Sequence, residues 1–388
     1  MIGRYTFIED KQINMDFSSL ILIAVVIAYV GAMIYIANLI DVAQVALITS
    51  SNPRTSYDGQ EFALRQRRTI LRWMLYGIIA VGLVFALLIM QLGLLSNSPD
   101  ALAQFNQLDV QVPQVDTSAA VANFVLAIII VIVSVRIIIS DNTRQRIRSL
   151  IGESGRYNPE SSVHMVAIVL GLLMILFTFG QLVVAGGLSG LAESVETTGV
   201  SIGAELFTAA LMIAAAFLGI GLAIHRTLEQ SLMRLSLRLP TQADVIWGVG
   251  VGLLLYGALI VMGIIWSALV PPEQLEQQSA AAQQIANAFN TLPLAFLLSL
   301  AAAVSEEILF RGALQPVFGL VLSSIFFALL HVQYSLTPAT LIIFVVGLGL
   351  GFLRQRQSTS AAIIAHFVYN FVQLALAILA AGALGMGT

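Results

Sequence analysis

The chain has 388 residues, of which 58% are hydrophobic and 10% are charged, and its mean hydropathy is +0.92. Soluble domains carry about 25% charged residues, so this composition indicates an integral membrane protein. The net charge of −3 does not favour nucleic acid as a partner. The sequence contains no cysteine, which excludes disulfides, thiolate metal sites and cysteine nucleophiles.

Ten apolar runs follow one another along the chain, and most have the roughly 20 residues that a helix needs to cross a bilayer. They lie near 18–40, 73–95, 119–139, 163–185, 202–224, 245–270, 292–315, 320–335, 337–353 and 360–382. The sequence therefore predicts an all-α, polytopic helical bundle with about ten transmembrane helices. The polar stretch 273–290 is amphipathic and predicts a helix on the membrane surface.

The connections between these spans alternate in charge. Five arginines precede the second span, whereas 96–118 holds three aspartates and no basic residue. Positive loops favour the cytoplasm, so we expect the arginine loops there and both termini outside. The basic loop 226–244 divides the chain into predicted N-terminal helices of unknown role (1–240) and a C-terminal catalytic module (241–388).

Ionisable side chains inside spans are rare and energetically expensive, which makes them functional candidates. Those in the C-terminal module are Glu306, Glu307, Arg311, His331 and His366, with Asn370 as a polar companion. The breaker QPVFG (315–319) joins the seventh and eighth spans, with Glu306 before it and His331 after it at similar offsets. His366 lies similarly far past the next turn. We therefore expect these three residues at one depth, roughly 15 Å from the turns.

Helical spacing separates the two adjacent glutamates. Glu307 and Arg311 are i,i+4 neighbours in the favourable order, and we expect them to pair as a structural anchor. Glu306 points about 100° away and has no partner on its own span, which favours a role as general base. His366 and Asn370 are also i,i+4 neighbours, and together could donate hydrogen bonds to a developing oxyanion.

Three stretches, EEILFR (306–311), FALLH (327–331) and HFVYN (366–370), carry a family resemblance. In order and spacing they resemble the EExxxR, FxxxH and HxxxN motifs of the CAAX protease and bacteriocin-processing (CPBP, or Abi) family of intramembrane endopeptidases. The resemblance covers about 100 residues, and the first 240 residues lie outside it.

The resemblance implies a role for each motif residue. Glu306 would activate a water with the help of His331, while His366 and Asn370 would form the oxyanion site. The residues that would organise the site are Glu307, Arg311 and Phe327. The implied activity is peptide-bond hydrolysis in the membrane, reached from the cytoplasmic side of a bacterial plasma membrane. The implied partners are lipid and a peptide or membrane-protein substrate.

Two questions stay open at this point. In the favoured interpretation no cofactor is required. The alternative is one divalent metal such as zinc on Glu306, His331 and His366, although the sequence has no HExxH spacing. Buried Glu and His residues also relay protons, so a proton-coupled transporter or a non-catalytic scaffold is the alternative function. A transporter should show polar residues in both halves, whereas this cluster is confined to the C-terminal part.

Three further features are interpreted as structural. The glycines of GLGLG (347–351) have GxxxG spacing, which predicts close helix packing and not a nucleotide loop. His164 and His225 flank basic loops, and we expect both to be interfacial.

Overall fold

The computed structural model describes residues 17–49, 57–107, 114–198, 201–270, 291–331 and 339–383, and these residues form helices without any strand. The helices are α1 (Phe17–Thr49), α2 (Tyr57–Leu95), α3 (Pro99–Gln107), α4 (Thr117–Ile139), α5 (Asp141–Ile151), α6 (Ser162–Val184), α7 (Gly187–Thr198), α8 (Ile202–Gly219), α9 (Leu228–Leu235), α10 (Gln242–Leu269), α11 (Leu292–Glu306), α12 (Gln315–Leu330), α13 (Ala339–Arg356) and α14 (Thr359–Ala383). A π-helix, Glu307–Leu314, joins α11 to α12. The predicted surface helix at 273–290 lies outside the described residues.

Eight segments of the described chain are long and apolar enough to cross a membrane. They are Ile21–Ile48, Gly59–Leu95, Thr117–Ile139, Ser162–Val184, Ile202–Gly219, Gln242–Leu269, Leu292–Leu330 and Thr359–Ala380. The prediction of an all-α, multi-pass membrane bundle is thereby confirmed. The count differs from ten for two reasons. The seventh and eighth predicted spans fall in one segment, and the ninth, which corresponds to α13 and ends with Arg354 and Arg356, is not among the eight.

The segment Leu292–Leu330 folds back on itself at Gly319. This residue has φ +81° and ψ 170°. The conformation is not helical, and glycine adopts it readily because it has no Cβ atom. His331 follows Glu306 by 25 residues, which would separate them by about 38 Å in a straight helix. Their side chains instead lie beside each other, and the rings of Phe310 and Phe327 meet at 5.1 Å. The predicted helix break at 315–319 is therefore confirmed.

Close packing of α13 on this hairpin depends on Gly347 and Gly351. A Cβ atom at Gly347 would lie 3.1 Å from Ser324 Cβ, and one at Gly351 would overlap the side chain of Leu320. The side-chain amide of Gln315 donates a hydrogen bond to the Gly351 carbonyl at 2.9 Å. The close approach predicted from the GxxxG spacing is confirmed.

The start of α14 is fastened to the basic loop that precedes α10. Ser358 Oγ donates to the buried carboxylate of Asp244 at 2.7 Å, and Arg238 pairs with the same carboxylate. Thr359 Oγ1 donates to the Leu235 carbonyl at 2.6 Å. These contacts set the register of the helix that carries the third motif.

The N-terminal helices form their own buried apolar cluster, to which α8 is attached. Residues of α1, α2, α4 and α6 make up this cluster, among them Met33, Leu75, Ile138 and Val169. The amide of Asn38 in α1 donates to the Leu218 carbonyl of α8 at 3.1 Å. On the other side, Ala216 of α8 packs in a cluster with Ile308 of the first motif. Helix α8 thus connects the N-terminal helices to the motif hairpin.

Candidate active site

A cavity of about 400 Å³ lies where α8, α11, α12, α13 and α14 meet. Its lining includes five of the predicted site residues: Glu306, Phe327, His331, His366 and Asn370. The three motifs, which are separated along the chain, therefore converge on one cavity as the matched depths predicted. The chemical roles assigned to these residues stay predictions.

Glu306 and His331 face each other at the cavity. Glu306 is the last residue of α11, and its Oε2 lies 3.7 Å from His331 Nε2, with both side chains about one-fifth exposed. His331 Nδ1 lies 2.7 Å from the Phe327 carbonyl oxygen. A carbonyl can only accept, so Nδ1 carries the hydrogen, and in the neutral ring Nε2 is an acceptor. Two acceptor atoms thus face each other at a distance too long for a direct hydrogen bond.

Glu307 points away from its neighbour into a buried charge network. Its Oε1 accepts hydrogen bonds from Arg311 Nη1 at 2.9 Å and from His366 Nδ1 at 2.8 Å. All three side chains are buried. Because a charge removed from water requires partners, these hydrogen bonds stabilise the Glu307 carboxylate. The predicted Glu307–Arg311 pair is confirmed. The contact with His366 was missed, because nothing in the spacing of two separate helices indicates it.

Phe327 supports both histidine-bearing elements from a fully buried position. The Arg311 guanidinium lies 4.1 Å from its ring centroid, a cation–π contact, and the His331 ring lies 4.4 Å from it. Arg311 Nη2 also donates to the Gly347 carbonyl at 3.3 Å, which ties the network to α13. Phe327 thereby contacts both the charged network of Glu307 and the Glu306–His331 pair of the cavity.

The helix carrying the first motif is not a regular α-helix throughout. The predicted span 292–315 is π-helical over Glu307–Leu314, and the change begins directly after Glu306. Such π segments are frequent at functional sites. Arg234 of the neighbouring helix α9 donates from Nη1 to the Gly312 carbonyl in this π-helix at 3.1 Å. Burial, with the nearby guanidiniums of Arg226, Arg354 and Arg156, lowers the pKa of Arg234 to about 10, so it stays charged at neutral pH.

One acidic residue of the cavity was missed by the sequence reasoning. Glu205, in the first turn of α8, lines the cavity together with Thr208, Ala209 and Met212. It lies inside the fifth predicted span, so the rule that ionisable residues within spans are candidates applies to it as well. The cavity therefore draws on residues from both sides of the predicted divide at 240, and the division itself stays a prediction.

The alternative zinc ligands are not arranged around a common point. His366 Nδ1 is bonded to Glu307, while Glu306 and His331 face each other. In the described part of the chain no group of three or more His, Asp or Glu side chains could hold a metal ion. The residues as placed do not fit zinc. His164 and His225 do not line the cavity.

Comparison with known proteins agrees with the motif resemblance. Residues 288–372 match a family model described as type II CAAX prenyl endopeptidase, Rce1-like. This segment contains all of the predicted site residues and covers well under half of the chain. No curated protein and no solved structure matches the chain. The match confirms the resemblance, consistent with the CPBP family: this integral, multi-pass membrane protein carries an Rce1-like, CAAX-protease-type segment at 288–372.

Proposed function

We propose that the protein is an intramembrane endopeptidase that hydrolyses a peptide bond with a water activated by Glu306. The observation that carries this proposal is the approach of Glu306 Oε2 to His331 Nε2 at 3.7 Å, on a cavity that His366 also lines. Support also comes from the position of all three residues within the segment that matches a CAAX-protease-type family model.

The two facing acceptors suit a bridging water. With Glu306 ionised and His331 neutral, one water can donate a hydrogen to each of them. Glu306 then removes a proton as the water oxygen bonds to the peptide carbonyl carbon, and the carbonyl electron pair moves onto its oxygen. General-base catalysis of this kind contributes about 10²–10⁴-fold to the rate.

His366 and Asn370 stabilise the resulting oxyanion in this proposal. They lie one turn apart on α14, and both line the cavity. Because Glu307 holds Nδ1 of His366, the nitrogen left to act in the cavity is Nε2, which donates when the ring is protonated. As the intermediate collapses, the C–N bond breaks. The proton on Glu306 passes to the leaving nitrogen, which yields a carboxyl group and an amine.

The arginine loops favour substrate entry from the cytoplasmic side and both termini outside. The membrane of this proposal is a bacterial plasma membrane. The proposed partners are membrane lipid and a peptide or membrane-protein substrate. The proposed chemistry draws only on side chains of this chain and one water.

The test compares wild type with Glu306→Gln, each as the full chain in proteoliposomes, on a library of membrane-inserting peptides read by mass spectrometry. Wild type should release products, and the variant should be slower by about 10²–10⁴-fold. Glu153→Gln removes an exposed acid away from the cavity, and should cleave like wild type.

Equal cleavage by wild type and Glu306→Gln would remove Glu306 from the mechanism. If wild type releases no product, the endopeptidase proposal fails, and proton flux across the same liposomes tests the carrier alternative. A chelator arm addresses the metal question. Cleavage should persist with chelator, and loss restored by added zinc would bring a metal into the mechanism.

A further inference from the structure

The cavity contains a second carboxylate that the hydrolytic scheme does not use. Glu205 lines the cavity from α8, and Glu306 lines the same cavity from α11. Among the residues that the structure describes, no side chain donates a hydrogen bond to Glu205 or forms an ion pair with it. Glu205 is exposed and lies in the first turn of α8, so its carboxylate is accessible to a molecule that enters the cavity.

The surroundings of the cavity are acidic. Its described lining includes two glutamates and no lysine or arginine. Arg311, which is buried, is already bonded to Glu307 and the Gly347 carbonyl. The stretches 271–290 and 332–338, adjacent in sequence to the helices of the cavity, also contain no lysine or arginine. A bound molecule that carries a cation into the cavity would therefore meet two glutamates and no competing lysine or arginine of the described lining.

The position of Glu205 along the cavity indicates which part of a substrate it would meet. Met212 packs in the cluster of Phe310 and Phe327, beside the reacting end of the cavity. Glu205 lies seven residues earlier on α8, which is two turns or about 10 Å along the helix axis. An extended peptide advances about 3.3–3.6 Å per residue, so this distance corresponds to about three residues.

We propose that Glu205 forms an anionic subsite that selects peptide substrates carrying lysine or arginine within about three residues of the scissile bond. The inference rests on the proposed endopeptidase function and names its substrate class. A basic side chain would bring a positive charge to the Glu205 carboxylate, and its aliphatic stem fits the apolar wall of Ala209 and Met212.

This subsite also gives the region outside the matched family segment a specific task. Helix α8 precedes residue 288, yet it supplies the wall that carries Glu205. Helix α8 is also bonded to α1 through Asn38. In this inference the reacting groups come from the C-terminal helices, and the N-terminal helices place the group that chooses the substrate.

The experiment uses membrane-inserting peptides in matched pairs, identical except for Arg or Gln at one position within three residues of the cleaved bond. Wild type in proteoliposomes should cleave the Arg member with a kcat/KM about tenfold higher, mainly through a lower KM. Glu205→Gln should bring the Arg/Gln ratio close to one, and Glu205→Asp should restore part of it. Glu205→Arg should favour members with Asp at the same position.

Glu153→Gln serves as the matched control, and should keep the wild-type ratio. Equal cleavage of Arg and Gln members by wild type, or a ratio that Glu205→Gln does not change, would overturn the subsite but leave the endopeptidase proposal standing. If wild type cleaves no peptide, the endopeptidase proposal fails, and binding of the same labelled pairs decides the subsite. Equal affinity for both members then overturns it, while an Arg preference abolished by Glu205→Gln supports it.

Discussion

Two polar cavities of similar volume lie in different parts of the molecule, and their charges are arranged differently. The second, of about 480 Å³, lies between α1, α2, α5 and α6, and we call it the arginine cavity. There Gln44 donates to Glu160 at 2.9 Å and accepts from Arg68 at 2.8 Å, while Arg144 pairs with Asp141. In the active-site cavity of about 400 Å³, Glu306 faces a histidine at 3.7 Å, and Glu205 has no cationic partner among the described residues.

The comparison teaches that volume alone does not identify the site. The arginine cavity is the larger of the two and contains more charged side chains, but four of its five charged residues are bonded within it, Arg68 and Glu160 through Gln44 and Arg144 to Asp141. A network that satisfies itself needs nothing from a ligand, and its expected role is structural. The acids of the active-site cavity are left to interact with a water or a substrate, which is typical of functional sites.

The largest expected effect on stability comes from the buried network behind the active-site cavity. Arg311→Met leaves the buried Glu307 carboxylate without its guanidinium partner, and should destabilise the fold by about 3–5 kcal/mol. Unfolding in detergent measures this. Replacing both partners, with Glu307→Gln added to Arg311→Met, should recover part of the loss because no charge is then left unpaired.

Glu306→Gln is the matched control for this prediction, since it alters the adjacent residue of the same motif. It should change the unfolding free energy by no more than about 1 kcal/mol, because no ion pair is broken. A large loss in Glu306→Gln, or a small one in Arg311→Met, would contradict the division of the motif into a reacting acid and a structural acid.

An intermediate effect is expected beside the arginine cavity, at Asp41 of α1. Its carboxylate accepts from Ser161 Oγ at 2.5 Å and from the Ser162 backbone N–H at 2.7 Å, which satisfies the start of α6. Asp41→Ala should cost about 1–2 kcal/mol, as loss of a helix cap does. Asp41→Asn keeps one acceptor oxygen and should cost less. Both variants should cleave peptide at the wild-type rate once folded, and slower turnover would show that this region takes part in the reaction.

Features set by local spacing could be predicted from the sequence. The helix break at 315–319, the Glu307–Arg311 pair and the close packing at Gly347 all follow from i,i+4 relations or from glycine and proline positions. The proximity of Glu306 to His331 could be predicted because the two residues lie at similar distances in sequence before and after the break at 315–319. These inferences succeeded because each needs only the geometry of a helix or a hairpin.

Features that depend on how separate helices are rotated against each other could not be predicted. The bond from His366 to Glu307 needs the orientation of α14 relative to the first motif. The π-helix after Glu306 depends on tertiary packing that no local pattern reports. Glu205 was overlooked although it lies inside a predicted span, because its nearness to Glu306 depends on where α8 packs.

The smallest effect is expected at the Asp141–Arg144 pair of the arginine cavity. Asp141 is 89% exposed and Arg144 14% exposed, so water screens the attraction from one side, and Asp141→Asn should cost at most about 1 kcal/mol. Arg144→Met should cost more, because Arg144 also donates to the carbonyls of Pro159 and Ile137. Raising the salt concentration should reduce the Asp141→Asn effect further, whereas the Arg311→Met effect should persist because that pair is buried. Equal salt dependence of the two variants would show that solvent screening does not distinguish the exposed Asp141–Arg144 pair from the buried Glu307–Arg311 pair.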